Sequence, residues 1–158
     1  MESLTPAERY AAAKAKSEAK QKYPISNNFF ESFDFDLDDF QIKGCHAIEE
    51  GKGVLVAAPT GAGKTIVGEF AAYLALIQNK KCFYTTPIKA LSNQKYQEFV
   101  ERFGETKVGL LTGDNSINTE AQIVVMTTEV LRNMLYTDRK STRLNSSHVS
   151  ESRMPSSA

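Results

Sequence analysis

The sequence predicts an α/β fold, a parallel sheet with helices on both faces, and three observations lead to it. Short apolar runs alternate with longer helical patterns between residues 54 and 136. The runs are four to six residues long, as in strands buried on both faces of a parallel sheet. Each polar motif of note follows directly after such a run, at the strand's carboxyl end, where α/β sheets bind their ligands.

Taken in order, Thr5-Pro6-Ala7-Glu8 opens a helix: Thr5 caps, Pro6 fits the first turn and Glu8 reaches back to complete a capping box. The Ala/Lys-rich stretch to Lys22 favours helix by propensity but has almost no apolar stripe, and Pro24 stops it. Residues 1–26 therefore read as a polar, exposed helical arm. Its Lys14, Lys16, Lys20 and Lys22 face solvent or a phosphate backbone. Phe29, Phe30, Phe33, Phe35 and Phe40 follow among acids and read mostly as packing residues. Asp38 caps a helix from about Asp39 to Glu50, closed by Gly51, with Phe40, Cys45 and Ile48 on its inner side.

Residues 54–57 (Val-Leu-Val-Ala) form the first predicted strand, ended at Pro59. A helix from Thr65 to about Gln78 carries Ile66, Val67, Phe70, Ala71 and Leu74. Residues 81–86 are the second strand, ended by Pro87. The next helix has Leu91, Tyr96, Phe99, Val100 and Phe103 inward and stops at Gly104. Val108–Leu111 and Ile123–Thr127 are further strands, the last followed by a helix from Thr128 to about Tyr136. From Arg139 the periodicity ends: seven of the last twenty residues are serine, and Pro155 interrupts the remainder. The run from Ser141 resembles translated sequencing-adaptor read-through, so 139–158 is expected to be a disordered, non-native tail.

The 19 basic and 19 acidic residues cancel. The last twenty contain four basic groups and one acid, leaving 15 against 18, or −3, for the rest. Contact with nucleic acid must then come from a local groove and not from overall charge. No apolar run approaches the ~20 residues of a membrane span, and the charged start is unlike a signal peptide. A cytoplasmic protein with no membrane partner is expected. Cys45 and Cys82 lack metal-ligand spacing and read as reduced, apolar-facing cysteines.

The chemistry centres on residues 53–65. A strand, a turn bracketed by Gly61 and Gly63, then Lys64-Thr65 opening a helix give the layout of a phosphate-binding loop. Backbone N–H groups of Thr60, Gly61, Ala62 and Gly63 can turn inward around an anion, and the new helix adds its positive end. Lys64 suits the β- and γ-phosphates of a nucleoside triphosphate and the Thr65 hydroxyl suits Mg²⁺, which makes these two the candidate catalytic residues. Many such loops have a glycine separated by four residues from the Gly-Lys pair; here that position is Ala58.

The loop Ala58-Pro59-Thr60-Gly61-Ala62-Gly63-Lys64-Thr65 resembles the first motif of superfamily-two helicases. Phe35-Asp36-Leu37-Asp38-Asp39-Phe40-Gln41 resembles the Q-motif of their Ski-like branch, and Thr86-Pro87-Ile88-Lys89-Ala90-Leu91-Ser92-Asn93-Gln94 its motif Ia. Leu110-Leu111-Thr112-Gly113-Asp114 and Thr127-Thr128-Glu129-Val130-Leu131 resemble the two motifs that follow. The combination is similar to DExH-box helicases of the HelY type and implies that 27–138 is part of a first RecA-like domain. It implies ATP and Mg²⁺ as cofactors, single-stranded RNA or DNA as partner, and strand unwinding in a longer parent.

A Gln amide can pair bidentately with adenine, so Gln41 is expected to choose ATP over GTP. The resemblance makes Phe35 the adenine-stacking ring. Thr86, Pro87, Lys89, Ser92 and Asn93, then Thr112, Gly113, Thr127 and Thr128, form the expected track for a single strand, read without regard to base. Asp114 would repel phosphate and is expected to orient neighbouring amides instead.

Hydrolysis also needs a Mg²⁺ carboxylate, a water-positioning residue and usually an arginine. In the family the first two come from an Asp-Glu-x-His box some way beyond Glu129, and the arginines from a second RecA-like domain; no Asp-Glu pair follows Asp114. Three classes of function stay open: the binding part of a helicase, another phosphate-loop enzyme, and a nucleotide- or nucleic-acid-binding module without turnover.

Overall fold

The computed structural model describes residues 4–58, 63–138 and 147–150. The chain divides into two compact units, Met1–Lys64 and Thr65–Ala158.

The first unit is helical. α1 (Pro6–Lys22) starts with the expected capping box: Glu8 N–H donates to Thr5 Oγ1, and Thr5 N–H donates to Glu8 Oε2 at 2.7 Å. It buries none of its residues, as its missing apolar stripe requires. Pro24 both ends α1 and begins α2 (Pro24–Phe30), a helix the sequence reading did not anticipate. The start of α2 is capped from a distance, because Glu49 accepts the N–H groups of Ile25 and Ser26 at 3.1 and 2.8 Å. Glu49 closes α3 (Asp39–Glu49), so this carboxylate ties the two helices together. The Tyr23 ring stacks on His46 of α3 with centroids 3.8 Å apart. α3 begins and ends where its cap residues predict, with Gly51 at φ 80° just beyond it. Of its expected inner side, Cys45 is fully buried and Phe40 and Ile48 half-buried.

The second unit is a sheet covered on both faces. α4 (Thr65–Ile77) leads to β1 (Cys82–Thr86), and α5 (Lys89–Phe103) leads through a short 3₁₀ turn to β2 (Val108–Leu111). β3 (Ser116–Ile117), β4 (Ile123–Thr127), α6 (Thr128–Asp138) and β5 (Ser147–Ser150) complete it. The strand order is β3-β2-β4-β1-β5, all parallel except the two-residue β3, which turns back antiparallel along β2. Alternate residues serve opposite faces. Cys82, Tyr84, Val108, Leu110, Ile123 and Val125 meet Ala72 and Ala75 of α4 and Tyr96 and Phe99 of α5. Phe83, Val124 and Met126 meet Val130, Leu131 and Met134 of α6. Gly109 in β2 is required by close approach: a Cβ there would lie 2.1 Å from the Asn118 carbonyl oxygen.

Two expectations change. Residues 54–57 do not form a strand: no ladder among the described residues includes them, and Leu55 is 85% exposed. β1, the strand after α4, bonds β4 on one edge and β5 on the other, so it leaves no ladder for them. An apolar run without a ladder partner has nothing to hold it extended. Conversely, part of the tail expected to be disordered supplies β5. An open sheet edge is a row of unsatisfied N–H and C=O groups, and Ser147–Ser150 satisfies it in parallel register, Cys82 opposite Ser147.

Candidate nucleotide and nucleic-acid site

Gly63 has φ 74°, a conformation that favours glycine, and hands the chain to half-buried Lys64 and then to Thr65, the first residue of α4. The thirteen residues of α4 give its N-terminus the full positive end of a helix dipole. Ile66, Val67 and Phe70 bury α4 from its first turn. These donors fit a triphosphate with Mg²⁺: an ammonium, a hydroxyl and the N–H groups of a helix start. Thr60, Gly61 and Ala62 lie outside the described residues.

Within the first unit, Gln41 and Phe35 take opposite positions. Gln41 is buried, its Oε1 accepting the Asp38 N–H at 2.8 Å and its Nε2 donating to the Gly63 carbonyl at 3.0 Å. Both ends of the amide are engaged by backbone, so Gln41 fastens the start of α3 to the end of the phosphate loop. Phe35 is 57% exposed, its ring 5.3 Å from Phe33. Phe33 packs edge-on against buried Phe29 at 5.1 Å, a chain of rings that leaves the outermost available to a ligand.

In the second unit the parallel ladders bring three motifs to one edge of the sheet. Thr86 pairs with Thr127 at the carboxyl ends of β1 and β4, and Leu111, just before Thr112, pairs with Met126. The nine residues expected to touch a strand then separate into two groups. Thr86, Ser92, Thr112 and Thr127 are buried. The Thr86 and Ser92 hydroxyls are 2.6 Å apart, and Thr86 Oγ1 also donates to the Ile88 carbonyl at 3.0 Å. Thr112 Oγ1 accepts the Asn115 N–H, and Thr112 N–H donates to the Asn115 carbonyl, closing the turn that holds Gly113 and Asp114. As direct phosphate ligands Thr86, Ser92 and Thr112 are corrected to supports, because their hydroxyls bond within the protein; Thr127 is buried at the end of β4. Pro87, Lys89, Gly113 and Thr128 are exposed. Thr128 Oγ1 donates to the Thr86 carbonyl at 3.2 Å, and half-buried Asn93 lines an open groove with Asn115 between α5 and the β2–β3 turn.

Sequence reasoning missed the partner of Asp114. Its carboxylate bonds to the Lys89 ammonium, which holds its carboxyl below the ordinary range, in place of the neighbouring amides. The available signal was opposite charge just beyond two strand ends of one sheet. Burial pushes the Cys45 and Cys82 thiols up to about 12, so neither is a nucleophile near neutral pH. Among the described residues, no group of three or more His, Cys, Asp or Glu side chains could hold a metal ion, and no helix is long and apolar enough to cross a membrane.

The family model described as DEAD/DEAH box helicase matches residues 38–150. The chain is 66% identical over 104 residues to "Probable helicase HelY" of Mycobacterium leprae, covering 66% of this chain and 11% of that protein. It is 50% identical over 105 residues to "Antiviral helicase SKI2" of Saccharomyces cerevisiae, covering 66% and 8%. The chain therefore spans about a tenth of the length of the curated relatives it matches. Among solved structures it is similar to a hypothetical ATP-dependent RNA helicase from Sulfolobus tokodaii, with TM-score 0.55 and 25% identity over 72% of this chain and 36% of that one.

Proposed function

The chain belongs to the DEAD/DEAH box helicase family, and we propose that its 158 residues hold ATP and contact a single strand within the first RecA-like domain of a longer helicase. The junction Gly63-Lys64-Thr65 carries this reading: a positive-φ glycine, an ammonium and a hydroxyl at the start of a well-buried helix. Lys64 binds the outer phosphates of ATP, and the Thr65 hydroxyl contributes to Mg²⁺. When bound, ATP and Mg²⁺ supply the phosphoryl chemistry that drives unwinding in the parent. Phe35 offers an exposed ring to adenine, and Gln41 sets the loop's position through the Gly63 carbonyl.

Pro87, Lys89, Asn93, Gly113 and Thr128 meet the sugar-phosphate backbone of the strand, while Thr86, Ser92, Thr112 and Thr127 keep those contacts in place. Backbone contacts of this kind ignore base identity, as a translocating motor requires. The similar Sulfolobus protein is described as a hypothetical RNA helicase, which favours RNA over DNA. The setting is cytoplasmic. The groups that cleave ATP lie outside these residues: no Asp-Glu pair follows Asp114 in the sequence, and the arginines belong to a second RecA-like domain. These residues bind ATP without turning it over.

Titration with a fluorescent ATP analogue in Mg²⁺ tests the binding. Lys64→Ala is expected to weaken it by about tenfold or more, the worth of a charge-assisted hydrogen bond. ATP is expected to displace the analogue better than GTP. Equal displacement by GTP would return the reading to another phosphate-loop enzyme, and binding that ignores Lys64→Ala would overturn it.

A further inference from the structure

Lys89 is the first residue of α5 and Asp114 sits in the turn after β2, two strands away in the sheet. Both stand on rigid supports. The start of α5 is anchored by the buried Thr86–Ser92 hydroxyl pair, and the Asp114 turn is closed by the two Thr112–Asn115 hydrogen bonds. Both side chains remain exposed, at 46% and 71%, so the pair faces solvent at the edge where the strand contacts gather. A carboxylate oxygen and a phosphate oxygen present the same charge and acceptor chemistry to an ammonium.

We infer that Asp114 is a positioning residue that competes with nucleic-acid phosphate for Lys89. Without a strand, it holds the ammonium aimed at the sheet edge. When a strand binds, a phosphate takes its place, and Asp114 retakes Lys89 as that phosphate leaves. The competition lowers affinity and speeds release, which suits a contact that must be made and broken repeatedly. The inference rests on the strand-contact reading above.

The test is fluorescence anisotropy of a labelled oligouridine with the full chain at several salt concentrations, for Asp114→Asn, Lys89→Gln and the double variant. Glu101→Gln, twelve residues further along α5 and so about 18 Å away, removes the same charge elsewhere. Asp114→Asn is expected to tighten binding about two- to fivefold, the range set by one exposed ion pair. Lys89→Gln is expected to weaken binding and to lower the salt slope by about 0.7, one phosphate contact on a single strand. In the Lys89→Gln background, Asp114→Asn is expected to add nothing, and Glu101→Gln is expected to leave affinity unchanged. Tightening that persists without Lys89, or that Glu101→Gln reproduces, would reduce Asp114 to general repulsion and overturn the inference alone. So would Asp114→Asn binding like the unmodified chain while Lys89→Gln weakens. If no variant binds the oligonucleotide, the strand-contact reading fails and takes the inference with it.

Discussion

Residues 54–57 and β4 are both short apolar runs with two valines each, closely followed by a polar motif and a helix, yet they end in opposite environments. Ile123, Val124, Val125 and Met126 are buried between two ladders, β1 on one side and β2 on the other. Val54 and Leu55 are 37% and 85% exposed and belong to no ladder among the described residues. The difference lies in what each run has to pair with. Hydrophobicity makes a strand worth burying, but the backbone must also satisfy its N–H and C=O groups. In β4 both needs are met by neighbours already in register; in 54–57 neither is.

The widest separation of the two regions is expected from truncating their side chains. Ile123→Ala should cost about 2–5 kcal/mol, for lost transfer energy plus the cavity left behind. Leu55→Ala should stay within about 0.5 kcal/mol, as at an exposed position. Urea denaturation of the two variants would show it, and equal costs would mean that 54–57 is as buried as β4.

Glycines sharpen the same contrast with a smaller effect. Gly109→Ala would drive a Cβ into the Asn118 backbone and should cost about 1–3 kcal/mol. A Cβ at Gly53 meets nothing within 4 Å, so Gly53→Ala should be neutral or stabilising by up to about 1 kcal/mol.

The cysteines compare the two units through pH. Cys45 belongs to the first unit and Cys82 to the second, and burial pushes both thiols up to about 12 from an ordinary value of 9.0. The folded chain thus holds these protons more tightly than the unfolded one. Their stabilising effect is complete below pH 9.0 and is lost as pH rises from there toward about 12. Denaturation midpoints should fall modestly between pH 8 and pH 10 (both about one unit from the ordinary thiol value). Alkylation at pH 8 should be slow for both thiols until denaturant is added, and rapid labelling of either would show its unit opening locally.

The sheet was largely legible because its signals are local and agree with one another. Apolar runs set β1, β2 and β4, Gly104 stopped α5, and a 3.6-residue stripe placed Tyr96 and Phe99 inward. The RecA-like fold follows from those elements. The short β3, the Glu49 cap on α2 and the β5 edge were not legible, since each depends on a partner distant in the chain. For the candidate site, sequence indicated which residues gather at the sheet's carboxyl edge but not which way their polar atoms turn. Thr86 and Thr128 share a strand end and a helix start in the sequence pattern, yet only coordinates distinguish the buried hydroxyl from the exposed residue. The same limit concealed Gln41, whose amide is turned to backbone, and Asp114, whose carboxylate is turned to Lys89.

The central claim is that this chain holds ATP through Lys64 and does not cleave it. Measuring bound nucleotide and released phosphate in one sample, with Mg²⁺ and with or without oligouridine, addresses it directly. The account predicts ATP binding that Lys64→Ala weakens by about tenfold or more and no phosphate release above buffer in either condition. Oligouridine-stimulated phosphate release that disappears in Lys64→Ala would contradict it.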